Sequence, residues 1–182
     1  HIHGHGYQYI LASAMYIDNL DKNIEVINRG ISGNRISDLH ARWKEDCIDL
    51  KPTVLSILVG SNDLNYHFET GSAPTPEKYS ETYKSILDRA LSQNPDLFIV
   101  IMEPFFGVSE NKEFSDFMQA NVGRYAAEAR KIADNSNVPV YGYDIHKYIC
   151  EGEDTYIVFN ENKIKVQVFG EHNMKNINAA YN

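Results

Sequence analysis

Four short apolar stretches rich in β-branched residues recur along the chain and predict buried strands. They are Ile24–Ile27, Val54–Val59, Leu97–Met102 and Val138–Tyr143. Longer segments with apolar residues at helical spacing lie between these stretches. Alternation of this kind is typical of a parallel sheet with helices on both faces. The pattern therefore predicts the α/β fold class.

Two of the intervening helices carry start signals. Ser37 is placed to cap the first of them. Before the second, Thr75 provides a cap, Pro76 suits the first helical position and Glu77 adds an acidic residue to the first turn. The apolar positions that follow at helical spacing are predicted to face the core: Tyr79, Tyr83, Ile86, Leu87 and Ala90.

The pattern changes in the last quarter of the chain. Thr155–Asn160 and Ile164–Phe169 alternate apolar and polar residues, which predicts an antiparallel hairpin, and Asn173–Asn182 then has helical character. We therefore expect an α/β domain over residues 1–145. The hairpin and helix of residues 146–182 are expected to form a tail packed on the same domain.

Composition narrows the classes of partner. The chain has 182 residues, 43% of them hydrophobic, which suits one domain with a sizeable core. A formal net charge of −8 argues against nucleic acid, because nucleic-acid binders need clustered Lys and Arg to displace counterions. Cys47 and Cys150 lie far apart in sequence and are expected to be two buried thiols. The composition gives no indication of the oligomeric state.

Membrane, export and metal signals are weak. No apolar run approaches about 18 residues, so no membrane span is expected. The first residues have no basic segment followed by an apolar one, so a cytoplasmic protein is the default expectation. His1, His3 and His5 alternate, but a mobile terminus or a purification tag explains them better than a metal site. Neither a metal nor a cofactor is predicted.

Two polar loops follow predicted strands. They are "NRGISGNR" from Asn28 to Arg35 and "GSND" from Gly60 to Asp63. Ligands of open α/β sheets bind outside the carboxyl ends of the strands. A backbone N–H from the first loop and the Asn62 amide from the second would suit an oxyanion hole, in which donors face negative charge that develops during acyl transfer. The alternative is two ordinary strand-to-helix turns, with Asn62 or Asp63 capping the next helix.

These loops, in this order, resemble the second and third sequence blocks of the SGNH (GDSL) hydrolases. The resemblance spans roughly residues 4–135, and "HGYQYILA" and "IMEPFFG" also fit it. It implies a three-layer, flavodoxin-like sheet and a serine esterase or acetylesterase acting on small acyl esters. The oxyanion donors of the family fall on Gly33 and Asn62.

The chain departs from the family at the catalytic triad. The G-D-S block, whose serine is the nucleophile on the first strand, does not occur, so we expect a domain without that strand. The D-x-x-H block would place the general base at His172, but Phe169 stands at the position of the aspartate. Asp144 and His146 have suitable side chains at the wrong spacing. The resemblance therefore implies an incomplete triad and weak activity.

The tail has a second resemblance. "VFGEHNMKNINAA" is similar to the G-x-H-N-x-x-N segment of the Mur ligases, which implies adenine contacts by His172, Asn173 and Asn176. No G-K-S or G-K-T phosphate loop accompanies it, and Asn173 would also suit a helix cap. The competing hypothesis is thus a non-catalytic or chimeric module with an adenine-binding segment.

Overall fold

The computed structural model describes residues 7–72, 74–106, 109–136, 138, 148–151, 154–159 and 162–166. Two compact units are distinguished. One is Gly33–Gly142, and the other combines His1–Ser32 with Tyr143–Asn182.

The helices and strands of the described residues follow one another in chain order. They are α1 (Tyr7–Asp18), α2 (Ile36–Asp46), a 3₁₀ helix (Ile48–Leu50), β1 (Val54–Leu58), α3 (Ser61–Thr70), α4 (Pro76–Gln93), β2 (Phe98–Met102), α5 (Lys112–Asn135), β3 (Tyr148–Glu151), β4 (Asp154–Phe159) and β5 (Asn162–Val166).

A parallel pair of strands lies at the centre of the unit Gly33–Gly142. β1 and β2 pair in register from Val54 opposite Phe98 to Leu58 opposite Met102. Helices α3 and α4 connect them, and α4 packs against α2 and α5. This arrangement confirms the two central predicted strands and the α/β class with a parallel sheet. The predicted strand at Val138–Tyr143 lies almost entirely outside the described residues.

The core of this unit is built on one face of α4. Its buried residues recur at helical spacing and are those expected from the sequence: Tyr79, Tyr83, Ile86, Leu87 and Ala90. They join Ile57 and Ile99 of the two strands in one apolar cluster. Cys47 belongs to the same cluster as a free buried thiol, as predicted, whereas the side chain of Cys150 lies outside the described part.

The two predicted helix starts have different outcomes. Thr75 caps α4 as expected, because its hydroxyl oxygen accepts the backbone N–H of Lys78 at 3.3 Å. The prediction for Ser37 is wrong: Ser37 lies inside α2, and Arg35 occupies the cap position. The Arg35 backbone N–H is instead accepted by the Asp38 carboxylate at 2.9 Å, so the acidic residue of the first turn fixes this helix start.

The other unit contains α1 and three antiparallel strands. α1 covers most of the helix expected at His5–Ala12. The predicted strand at Ile24–Ile27 is wrong, because these residues form neither helix nor strand; the Val26 N–H bonds to the Tyr16 hydroxyl at 3.2 Å. β4 pairs with β3 and β5. The helix expected at Asn173–Asn182 lies outside the described residues.

Among the helices of the described residues, none combines the length and the apolar character that crossing a membrane requires.

Candidate active site

The chain turns sharply where β1 ends. Gly60 has a φ of +127°, which side chains rarely tolerate, and it leads directly into α3 at Ser61. A Cβ on Gly60 would lie 3.0 Å from the Cβ and Cγ of Pro104 and 3.2 Å from the Tyr79 hydroxyl. That hydroxyl donates to the Val59 carbonyl at 3.0 Å. Glycine is therefore required here both by conformation and by space.

The first turn of α3 makes three contacts with distant parts of the chain. The Ser61 hydroxyl donates to the Phe105 carbonyl at 2.6 Å. The Asn62 side-chain amide donates to the Asn34 carbonyl at 3.1 Å. Asp63 accepts a backbone N–H at the start of α2. Three consecutive residues thus connect α3 with the loop after β2 and with the segment before α2.

The Asn62 amide is half-buried and held in orientation by its bond to Asn34. An amide nitrogen carries two N–H donors, and this bond uses one of them. The second N–H is then fixed in direction, since the amide group is planar. A donor fixed in this way is what stabilisation of a developing oxyanion requires.

Gly33 lies next to Asn34, so the structure brings the two residues expected to act as oxyanion donors into the same neighbourhood. Gly33 has a φ of +86°, and a Cβ at this position would meet nothing within 4 Å. Its backbone is exposed. The conformation favours glycine, and the open space beside it leaves the backbone accessible to a ligand.

Asp63 is the one buried charged residue among those whose burial the structure describes, with 0% exposure. Its two carboxylate oxygens lie 3.3 and 3.1 Å from the backbone nitrogen of Ile36, the first residue of α2. Burial raises the pKa of Asp63 to about 6, although the Ile36 N–H and the nearby Arg35 favour the charged form. Asp63 therefore caps α2 from another helix.

Arg35 and Tyr66 form a charged and aromatic rim beside the loop. The guanidinium carbon of Arg35 lies 4.2 Å from the centre of the Tyr66 ring, within cation–π distance. Arg35 also pairs with Asp38 at 3.3 Å, and the hydrogen bond from the Arg35 backbone lowers the pKa of that carboxyl. The sequence analysis does not predict the pair formed by Arg35 and Tyr66. The available signal was the spacing of Asn62 and Tyr66, which places them on one face of α3.

Two serines of these loops do not have the setting of a nucleophile. The Ser61 hydroxyl donates to the Phe105 carbonyl, and no histidine of the described part of the chain bonds to it. Ser32 is exposed and belongs to the other unit. His172, Asn173, Asn176 and His146 lie outside the described residues. Among the described residues, no group of three His, Cys, Asp or Glu side chains is arranged to hold a metal ion.

A parallel pair of strands with the polar turn Gly60–Asp63 at the end of β1 defines an α/β protein of the kind that binds ligands at that edge. Comparison with protein families identifies which kind it is. Residues 3–156 match the GDSL-like lipase/acylhydrolase family, and the chain belongs to that family.

A curated relative and several solved structures agree with this membership. An acetylxylan esterase of Geobacillus stearothermophilus is 30% identical over 136 residues, which are 74% of this chain and 61% of the esterase. A crystal structure of an acetylxylan esterase from the same organism aligns with a TM-score of 0.63 at 28% identity, over 74% of this chain and 61% of that chain. The present chain thus spans about three fifths of the length of this relative.

Two further structures have the same fold. A protein of Parabacteroides merdae assigned as a GDSL-like lipase aligns with a TM-score of 0.67 at 28% identity, covering 74% of this chain and 62% of its own. An α/β hydrolase enzyme from the metagenome of Lake Arreo, Spain, aligns with a TM-score of 0.62 at 28% identity, covering 73% and 61%. The family match ends at residue 156, so the Mur-ligase resemblance of the tail stays a prediction.

Proposed function

We propose that this chain belongs to an esterase that hydrolyses small acyl esters, with Gly33 and Asn62 as the donors of its oxyanion hole. The observation that carries the proposal is the hydrogen bond from the Asn62 amide to the Asn34 carbonyl. This bond joins the amide to Asn34, the residue that follows Gly33, and so supports a donor whose direction is fixed before any substrate arrives. Preorganised donors of this kind lower the barrier because they need no rearrangement when charge develops.

The substrate class follows from the relative. The curated protein is an acetylxylan esterase, so we propose acetyl groups on a saccharide as the acyl esters to test first. Arg35 and Tyr66 would line the approach to the acyl carbon, since they lie beside Asn34 and on the helix that carries Asn62. A guanidinium can donate hydrogen bonds to sugar hydroxyls, and an aromatic ring can pack against the C–H face of a sugar.

The triad is the incomplete part of the proposal. The sequence contains no G-D-S, and the Ser61 hydroxyl is engaged by Phe105. His172 is proposed as the general base, and no residue of this chain is assigned as the nucleophile or as the aspartate. Because the triad is incomplete, the chain alone should show only the residual rate that binding and oxyanion stabilisation provide.

We further propose the three-layer, flavodoxin-like arrangement with a hairpin and helix at its end.

That residual rate allows a direct test. We expect p-nitrophenyl acetate to be hydrolysed slowly, but above the buffer rate, and Asn62→Ala to lower the excess about tenfold or more. Asn65→Ala is the matched control, because Asn65 is on the same helix and its side-chain amide donates to Glu69, at 3.0 Å. Equal loss in both variants would contradict the oxyanion role.

Two further outcomes would change the proposal. Fast turnover of p-nitrophenyl acetate that is abolished by Ser32→Ala or Ser61→Ala would show that a nucleophile is present after all.

The competing hypothesis of a non-catalytic or chimeric module is tested by calorimetry with ATP. Binding that is lost in Asn173→Ala would support an adenine site at His172, Asn173 and Asn176.

A further inference from the structure

Asp63 joins two helices that are distant in sequence. It lies in the first turn of α3, yet its carboxylate accepts the N–H of Ile36 at the start of α2, 27 positions earlier. A buried carboxylate is costly unless it is hydrogen-bonded, and here it is also held in the polar field of a helix N-terminus. Asp63 is also the acidic residue of the first turn of α3, and its carboxylate interacts with its own backbone N–H, so it joins the starts of two helices.

This contact is one of a pair. The Asn62 amide reaches the carbonyl of Asn34, while the neighbouring Asp63 holds the N–H of Ile36. Two adjacent residues of α3 therefore hold two points of the same short segment, and Gly33 directly precedes that segment. A shift of α2 relative to α3 would therefore disturb both bonds.

We propose that Asp63 is a positioning residue that sets the separation of the Gly33 N–H and the Asn62 amide, and that a change in its protonation changes this separation. The inference rests on the proposed function, because it concerns the two donors assigned there. The charged carboxylate accepts the Ile36 N–H with two oxygens, and protonation weakens it as an acceptor. The loop is therefore held most tightly when Asp63 is ionised.

The ionisable groups around Asp63 come from α2, α3, α4 and α5. On its own helix, His67 lies four residues after Asp63. The nearby charges from the start of α2 are Arg35 and Asp38, and the pKa of Asp38 is lowered from its usual 3.8 by its backbone hydrogen bond. From α4 and α5 come Tyr79 and Tyr125, whose pKa values burial raises further above 10.0. Asp63 itself has a pKa of about 6.

The test is a pH titration followed by NMR of the chain as it exists. In the native protein, the Ile36 N–H and the Asn62 side-chain N–H₂ signals should move with a common midpoint near pH 6. Asp63→Asn keeps an acceptor of the same shape but cannot ionise, so both movements should disappear. Asp38→Asn, which removes the other carboxylate at the start of α2, should leave both in place.

The inference would be overturned if the Ile36 N–H signal moved with pH and the Asn62 side-chain signal did not. Asp63 would then have no effect on the proposed donor. The same conclusion would follow if the Asn62 signal still moved in Asp63→Asn. The native titration requires no substitution, so it decides the question even if a variant fails to fold.

The residual hydrolysis of p-nitrophenyl acetate separates this inference from the proposed function. We expect Asp63→Ala to lower kcat about tenfold or more with little change in KM, because it displaces donors used in the transition state. If Asn62→Ala lowers the rate and Asp63→Ala does not, the positioning role is wrong. If Asn62→Ala has no effect, the assignment of the donors fails, whatever the titration shows.

Discussion

Gly60 and Pro104 are in direct contact at the carboxyl ends of the two paired strands, and the contact has no room for one additional carbon. A Cβ on Gly60 would approach the Cβ and Cγ of Pro104 to 3.0 Å. The φ of +127° at Gly60 adds a conformational penalty for any other residue. The close approach brings the loop after β2 to the start of α3, where Ser61 holds it.

We therefore expect Gly60→Ala to lower the free energy of unfolding by about 2 to 4 kcal/mol, as measured by urea denaturation. Gly71→Ala is the control, because Gly71 also has a positive φ, of +67°, but no atom lies within 4 Å of its Cβ position. That variant should lose only about 1 kcal/mol, the cost of the left-handed conformation. Equal losses would show that the contact with Pro104 contributes nothing.

Stability should depend on pH through Asp63. Its pKa is raised by burial from 3.8 in the unfolded chain to about 6 in the fold, so the fold favours the protonated carboxyl. The resulting stabilisation is complete below about pH 4 and is lost as the pH rises through about 6, a change of roughly 3 kcal/mol. Asp63→Asn removes this dependence.

The measurement is the difference in free energy of unfolding between the native protein and Asp63→Asn, obtained by urea denaturation from pH 4 to pH 7. The native protein should become less stable relative to Asp63→Asn as the pH rises. A constant difference over this range would mean that Asp63 has the same pKa in the folded and unfolded chain.

Ser61 should contribute to stability and not to bond cleavage. Its hydroxyl is half-buried and donates to the Phe105 carbonyl at 2.6 Å, so Ser61→Ala should cost about 1 kcal/mol. Ser92→Ala removes an exposed hydroxyl that donates to the Asp88 carbonyl within its own helix, and it should change stability by less than about 0.5 kcal/mol. Thermal unfolding of the two variants side by side provides the comparison.

Cys47 should be chemically protected in the folded protein. Its side chain is 2% exposed, and burial raises the pKa of the thiol to about 11. Because the thiolate is the reactive form, Ellman's reagent at pH 8 should modify Cys47 about a hundredfold more slowly than in urea. The experiment uses Cys150→Ser, so that only one thiol is counted. Similar rates in native and unfolded protein would contradict the burial of Cys47.

Sequence reasoning succeeded where the relevant interactions are local or periodic. The buried face of α4 follows from apolar residues at helical spacing, and the cap at Thr75 follows from a hydroxyl placed three residues before the N–H that it accepts. The strands β1 and β2 follow from continuous apolar runs, which are typical of strands in parallel sheets.

It failed where the partner of a group lies far away in the chain. Ile24–Ile27 has the composition of a strand, but a strand also needs a paired neighbour, and the Val26 N–H bonds to Tyr16 instead. The sequence predicts Ser37 as the cap of α2, whereas Asp38 and the distant Asp63 satisfy the first N–H groups of this helix.

The three contacts of Ser61, Asn62 and Asp63 have a consequence for how such a site can change. Each residue of a helix is rotated about 100° from the one before it, so three neighbours reach three different directions only in one order. Inserting or deleting a residue here would point every one of them at the wrong partner. Ser61, Asn62 and Asp63 would therefore have to be kept together with the two segments that they bind, around Phe105 and at Asn34–Ile36, if this site were transferred to another protein.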